Sequence, residues 1–254
     1  MFDQRSFDCR HDWGIRGARE AAKRGDITVI VDVLSFSSTV VAALHNGAVI
    51  YPYPLHEDGK MYAQSIGATC LPGRSEAAKL GVPTLSPVSF AREHRERRFV
   101  LSSLNGAHCA WIAKQVPKLV IGSLLNAAAV ARYCNKLQEE INRPITVVSC
   151  GERWDDARED ENNMRPAIED ALGAGAILKG LVGSKSPEAQ VCMASFNGCR
   201  SELSELVTSC GSGQELIARG YEDDIAFCAQ FNTTNVVPVL HPGGAYFENG
   251  LRDN

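Results

Sequence analysis

The chain has 254 residues, 44% hydrophobic and 22% charged, which excludes a disordered polymer and leaves room for one large domain or two small ones. Its net charge of -4, with no Lys/Arg block, argues against an electrostatic nucleic-acid binder. The longest weakly charged stretch, Ile27 to Ile50, carries Asp32, His45, Asn46 and Gly47 and does not read as a membrane span; the opening Asp3, Arg5, Asp8 and Arg10 are unlike a secretory signal.

In chain order, Thr28–Val33 is a β-branched apolar run that reads as a buried strand. Its apolar part, Thr28 to Val31, ends in Asp32, and a hydroxyl-rich turn (Ser35, Ser37, Ser38, Thr39) opens a helix near 38–46. Such hydroxyls serve as helix caps or as the edge of an anion site. A strand follows at 48–53, a helix pattern at 57–66 and a short apolar piece at 68–71. The Gly/Pro/Ser-rich segment 73–87 reads as a long loop. A strand at 98–101 ends in Ser102-Ser103-Leu104-Asn105-Gly106, with a helix to about 115. A strand at 118–121 ends in Gly122-Ser123-Leu124-Leu125-Asn126, with a helix over 127–139. A strand at 145–149 ends in Cys150-Gly151-Glu152-Arg153. Helical patterns then dominate at 165–181, 187–196, 201–208, 214–219 and 223–230, before a last strand at 236–240.

Repeated β-to-α junctions predict a three-layer α/β/α fold with a mainly parallel or mixed central sheet and a helix-rich C-terminal part. The expected organisation is a single domain over 1–254, with two lobes at about 1–160 and 161–254 as the alternative. The nine cysteines form no Cys-x-x-Cys pair, so a zinc cluster is not expected; free thiols in a reducing cytoplasm are.

Ligands favour the carboxyl ends of strands in open α/β sheets. There the sequence collects Asp32, Ser35, Ser37, Ser38, Thr39, Ser103, Asn105, Ser123, Asn126, Glu152 and Arg153, a rim suited to a small oxygenated anion. Farther on, Glu169 and Asp170 are adjacent; on a helix they diverge by about 100° and serve two partners, for instance a metal and Arg165. The small residues 173–176 imply close packing of that helix. Cys-x5-Arg is absent, because Gln115 and Asp156 stand six residues after Cys109 and Cys150. Leu34 breaks an Asp-x-Asp motif, and neither G-x-x-x-x-G-K-[ST] nor G-x-S-x-G occurs. The histidines show no partner spacing; His45, His56, His94 and His108 read as surface or helix-end residues.

The run Ile30–Thr39 resembles the D-V-L-R-A-T/S-T-T motif of the 2-phosphosulfolactate phosphatases. In order, Leu85-Ser86-Pro87 resembles N-S-P, 102–107 resembles T-T-N-G-T, and 122–127 resembles G-S-F-L-N-A. The segment 169–176 resembles E-D-x-L-x-A-G-A, 223–228 resembles D-I-x-x-C, and Val236-Val237-Pro238 resembles V-V-P. The resemblance implies a magnesium-dependent phosphomonoesterase that converts (R)-2-phospho-3-sulfolactate to sulfolactate and phosphate, a step towards coenzyme M. It transfers site roles to Asp32, Ser37, Ser38, Thr39, Asn105, Gly106, Asn126, Glu169 and Asp170. Ser35 replaces the motif's Arg, Pro72-Gly73-Arg74 replaces its G-E-R, and Asn232 stands where it often has Asp.

On this reading Asp32, Glu169 and Asp170 bind Mg²⁺ or activate water, with attack by water or by Asp32 left open. Residues 35–39, Asn105 and Asn126 hold the phosphoryl oxygens, and Arg74, Arg153 and Arg165 take a second anionic group. A phosphatase for another small carboxylated phosphoester, or a non-catalytic anion-binding protein on the same scaffold, are the alternatives. No nucleic-acid or membrane partner is expected. A homodimer is compatible with this class, though no segment of the sequence locates its interface.

Overall fold

A computed structural model describes residues 3–251, apart from positions 56 and 244. The elements are β1 (Cys9–Trp13), α1 (Gly14–Arg24), β2 (Ile27–Val31), α2 (Phe36–His45), β3 (Val49–Pro54), α3 (Gly59–Ser65), β4 (Thr69–Cys70) and α4 (Arg74–Leu80). Next come β5 (Arg98–Ser103), α5 (Gly106–Ile112), β6 (Leu119–Gly122), α6 (Ala127–Ile141), β7 (Ile145–Ser149), β8 (Glu152–Arg153) and β9 (Met164–Arg165). The chain continues with α7 (Ile168–Gly180), α8 (Pro187–Cys199), α9 (Leu203–Ser209), α10 (Gly211–Ala218), α11 (Glu222–Cys228), β10 (Pro238–Leu240) and β11 (Phe247–Asn249).

Nine strands form one mixed sheet in the order β1-β7-β2-β6-β10-β11-β3-β5-β4. Strand β2 shows why the sheet is covered on both faces. Ile27, Val29 and Val31 enter an apolar cluster with α6, α7 and α8, while Ile30 enters a second cluster with α1, α2 and α5. The twofold side-chain period thus divides one strand between two helical layers, giving the expected three-layer α/β/α fold. The strands β1, β7, β2 and β6 are parallel neighbours, as are β3, β5 and β4. Three consecutive antiparallel pairings, β6–β10, β10–β11 and β11–β3, lie between the two parallel groups.

Several elements differ from the sequence reading. Segment 9–24 supplies the edge strand β1 and the helix α1, neither of which its mixed charges suggested. Arg74–Leu80 is helical inside the segment expected to be loop, closed by Gly81 in the left-handed conformation (φ 63°). The helix expected from 165 starts at Ile168, because Arg165 pairs with Glu152 in a two-stranded ribbon and Pro166 follows it. Arg165 therefore does not sit one turn before Glu169 on a shared helix. His94 is buried rather than at a surface, its Nδ1 accepting from Ala91 N at 3.0 Å, and His56 lies outside the described residues.

The small residues of α7 do give close packing. A Cβ added at Gly175 would collide with the Cys192 carbonyl and stand 2.8 Å from Phe196 Cβ on α8. Overpacking of about 3 kcal/mol, less about 1 kcal/mol of gained helix propensity, makes Gly175→Ala destabilising by about 2 kcal/mol in urea unfolding. Gly198→Ala on α8, with open space at its Cβ, is expected to be neutral or stabilising in the same measurement.

Candidate active site

A cleft of about 810 Å³ opens where the turns after β2, β5 and β7 meet. Asp32, Ser35, Arg74, Ser103, Asn105, Glu152, Arg153 and Arg165 all line it. The turn after β2 is folded around its own hydroxyls. Ser37 Oγ accepts from Asp32 N at 2.9 Å and reaches Ile30 O at 3.3 Å, and Ser38 Oγ donates to Val33 O at 2.9 Å. The Thr39 hydroxyl is buried without a hydrogen-bond partner in the structure. These three side chains are fully buried in the first turns of α2 and do not face the cleft.

Two buried carboxylates tie the junctions together. Asp32 accepts from Phe36 N at 3.1 Å and, through its other oxygen, from Gly106 N at 2.8 Å. Gly106 is needed there, since a Cβ would collide with the Phe36 ring and stand 2.6 Å from Asp32 Oδ2. Asp170 accepts from Val33 N at 2.7 Å and from Gly151 N at 2.9 Å. The acidic start of α7 and the turn after β2 therefore meet at one place. Glu169 turns away from its neighbour and accepts from the Cys210 thiol at 3.3 Å, the divergence expected of adjacent helical positions.

Burial and mutual repulsion govern the proton affinities. Burial lifts the Asp32 carboxyl to about 6, against the pull of its two amides. Asp170 is held well above the usual carboxylate range, first by burial and then by Asp32 and Glu169. Glu152 is raised to about 8 by burial, reinforced by the Asp32 and Glu169 charges and opposed by its bond from Asn105 Nδ2 at 2.8 Å. At neutral pH Glu152 is therefore mostly a neutral acid facing the cleft.

Four arginines line the cleft: Arg219, paired with Glu215 at 2.6 Å, and three that frame these acids. Arg74 Nη2 donates to Ser35 Oγ at 3.2 Å and Asp224 Oδ2 at 3.1 Å, and its guanidinium carbon lies 4.5 Å from the Tyr221 ring centroid. Arg165 donates to Ser212 Oγ at 3.2 Å and lies over the Trp154 ring. Arg153 donates to Leu104 O at 2.9 Å and stands 3.4 Å from His108 Nδ1. Ser103 lines the cleft while its Oγ accepts from Ala107 N at 2.8 Å.

Ser123 and Asn126 lie elsewhere. Ser123 caps the turn Leu124–Asn126, and the Asn126 carboxamide joins Ser123 N, Ile121 O and Val236 O. Among the described residues no three His, Cys, Asp or Glu side chains converge as a ready metal-ligand set. Asp224, Tyr221 and Ser212 were not singled out from the sequence as site residues. The structure joins two of the resemblance motifs at this point, because Ser86 of 85–87 donates to Asp224 of 223–228.

Fold and cleft together define an α/β protein whose cleft sets the acids Asp32 and Glu152 beside arginines. The sequence profile described as 2-phosphosulpholactate phosphatase matches residues 16–243. A protein of Carboxydothermus hydrogenoformans named "Probable 2-phosphosulfolactate phosphatase" is 30% identical over 218 residues, covering 84% of this chain and 85% of that one. The "2-phosphosulfolactate phosphatase" of Methanothermobacter thermautotrophicus is 27% identical over 229 residues, covering 90% and 93%. A similarly named protein of Symbiobacterium thermophilum is 28% identical over 231 residues, covering 86% and 93%. The chain belongs to the 2-phosphosulpholactate phosphatase family, which places it among the phosphoric monoester hydrolases.

Removing the Asp170 carboxylate orphans two buried amides at roughly 1–3 kcal/mol each. Asp170→Ala is thus expected to lose about 2–6 kcal/mol of stability in urea unfolding. An unchanged midpoint and slope would show that the tie between the turns is dispensable.

Proposed function

We propose that this chain hydrolyses small phosphomonoesters carrying further acid groups, with (R)-2-phospho-3-sulfolactate as the lead substrate. The observation that carries this reading is one cleft holding the acids Asp32 and Glu152 beside the guanidiniums of Arg74, Arg153 and Arg165. A phosphoryl dianion needs its charge neutralised and its leaving oxygen protonated. Arg153 and Arg165 face the cleft without a carboxylate partner among the described residues, and their charge serves the phosphoryl oxygens. Glu152 donates a proton to the leaving alkoxide oxygen. Asp32, ionised above about pH 6, takes a proton from the attacking water.

Mg²⁺ is part of the proposal. Hard carboxylate oxygens and the mutual repulsion of Asp32, Glu152 and Glu169 fit a cation that keeps several waters and needs only one or two protein ligands. Asp32, which borders the cleft although both its oxygens also accept from amides, and Glu169, whose charge acts on Asp32, would hold it; Asp170 serves its two amides and does not border the cleft. The ion would supply charge neutralisation at the phosphoryl group and a more acidic water. Among the described residues no helix is long and apolar enough to cross a membrane, and the nine cysteines are free. The free thiols support a reducing, cytoplasmic setting.

Two experiments test this. Purified protein given (R)-2-phospho-3-sulfolactate and Mg²⁺ is expected to release phosphate, to stop with EDTA and to recover with excess Mg²⁺. Absence of release across that ester and related carboxylated phosphoesters would leave the anion-binding alternative standing.

The second follows from Glu152. A general acid must be protonated, so kcat/KM is expected to fall as pH rises through about 8. Glu152→Gln is expected to lower kcat about 100-fold and to abolish that alkaline limb. A variant that keeps the limb removes Glu152 from proton donation.

A further inference from the structure

Arg74 differs from Arg153, Arg165 and Arg219, which also line the cleft, in being fixed on several sides. Its guanidinium carbon lies 4.5 Å from the Tyr221 ring centroid, and Nη2 is shared between Ser35 Oγ and Asp224 Oδ2. Asp224 is 1% exposed, and its second oxygen accepts from Ser86. A buried carboxylate held on both oxygens makes a stiff support, which a surface ion pair does not. The Nε–H of Arg74 is itself buried and has no hydrogen-bond partner in the structure, although Arg74 borders the cleft. An orphaned donor on an otherwise fixed guanidinium calls for an acceptor from a ligand.

The charge balance says which part of a ligand that is. Arg74 is already neutralised by Asp224, so it offers directional N–H donors and little net charge. That suits a stable acid group better than a phosphoryl group gathering charge during transfer. Arg165, held among the described residues by a serine hydroxyl and an indole face and paired with no carboxylate there, acts on Glu152 beside it on the β8–β9 ribbon.

We propose that Asp224 is a positioning residue: it fixes the Arg74 guanidinium at the cleft wall so that Arg74 grips the acid group that stays on the alcohol product. The cleft thereby holds an α-hydroxy-acid subsite distinct from its phosphate subsite. This rests on the phosphomonoesterase reading, and binding measured without turnover separates the two.

The test is calorimetric titration of the full chain with (R)-3-sulfolactate and, separately, with inorganic phosphate, in the presence of Mg²⁺. Asp224→Asn is expected to weaken sulfolactate about tenfold or more, the worth of one charge-assisted hydrogen bond, and phosphate less than about twofold. Ser86→Ala, which removes one support of Asp224 but leaves the Val88 amide and the pair with Arg74, is expected to lower Tm while both Kd values stay within about twofold. With the phosphorylated substrate, the loss in Asp224→Asn is expected in KM rather than kcat. Equal weakening of both ligands, no weakening, a wild type that does not bind sulfolactate, or a Ser86→Ala variant that loses binding as Asp224→Asn does would each overturn the proposal. A wild type that releases no phosphate while this binding pattern holds would sink the enzymatic reading and leave the subsite intact.

Discussion

The site depends on carboxylates buried against backbone amides. Asp32 and Asp170 each use both oxygens to hold two amides from different segments. Through them the turn after β2 is fixed to the start of α5, to the turn after β7 and to the first turn of α7. A buried carboxylate is costly unless hydrogen-bonded, and four amides offset part of that cost. The remainder is visible as like-charge crowding. Asp32, Glu152 and Asp170 all hold their protons more tightly than an exposed acid does, with burial as the first cause and neighbouring acids as the next. Such a floor demands positive charge from its walls, and the chain supplies it from three separate elements at Arg74, Arg153 and Arg165.

Much of this was legible in the sequence because the signal was local. The apolar run ending in Asp32 reads as a buried strand with an acid at its exit, and Asp32 does line the cleft. The adjacent Glu169 and Asp170 read as acids with separate partners, one of them Arg165; their partners are separate, but they are the Cys210 thiol and two backbone amides, and Arg165 bonds to Ser212 instead. The hydroxyls were harder to assign. Ser37 and Ser38 have the composition of an anion site, yet each bonds to its own turn, since a short hydroxyl near a helix start reaches nearby backbone first. Ser123 and Asn126 close a turn in the same way. Asn105 and Glu152, equally polar and equally near strand ends, do face the cleft and each other. No local pattern separates these cases; the tertiary path of the chain does.

The elements that escaped the sequence reading share a physical feature. Strand β1 carries Arg10, His11 and Asp12, whose polarity gives no strand pattern. Arg10 is buried in an ion pair with Asp26, and His11 Nε2 lies 2.9 Å from Ser149 Oγ. Burial of charge by specific pairing hides a strand from any test of hydrophobic periodicity. Asp224 was hidden in the same manner, because a charged residue at the start of a short helix reads as a favourable partner of the helix dipole. Only its partners, Ser86 from a distant segment and Arg74 from another, reveal it as a support for the cleft wall.

A raised proton affinity does not by itself make an acid useful in catalysis. Asp170 and Glu152 are both protonated more readily than a free carboxyl, and largely for the same reason. Their surroundings divide their roles. Asp170 spends both oxygens on fixed amides and does not border the cleft, so any proton it carries has no route to a substrate oxygen. Glu152 lines the cleft, takes one bond from the Asn105 side chain, and stands on a short ribbon beside Arg165 rather than inside a helix. One acid therefore organises the backbone, and the other meets the geometric requirement for proton transfer, which is access to the reacting oxygen.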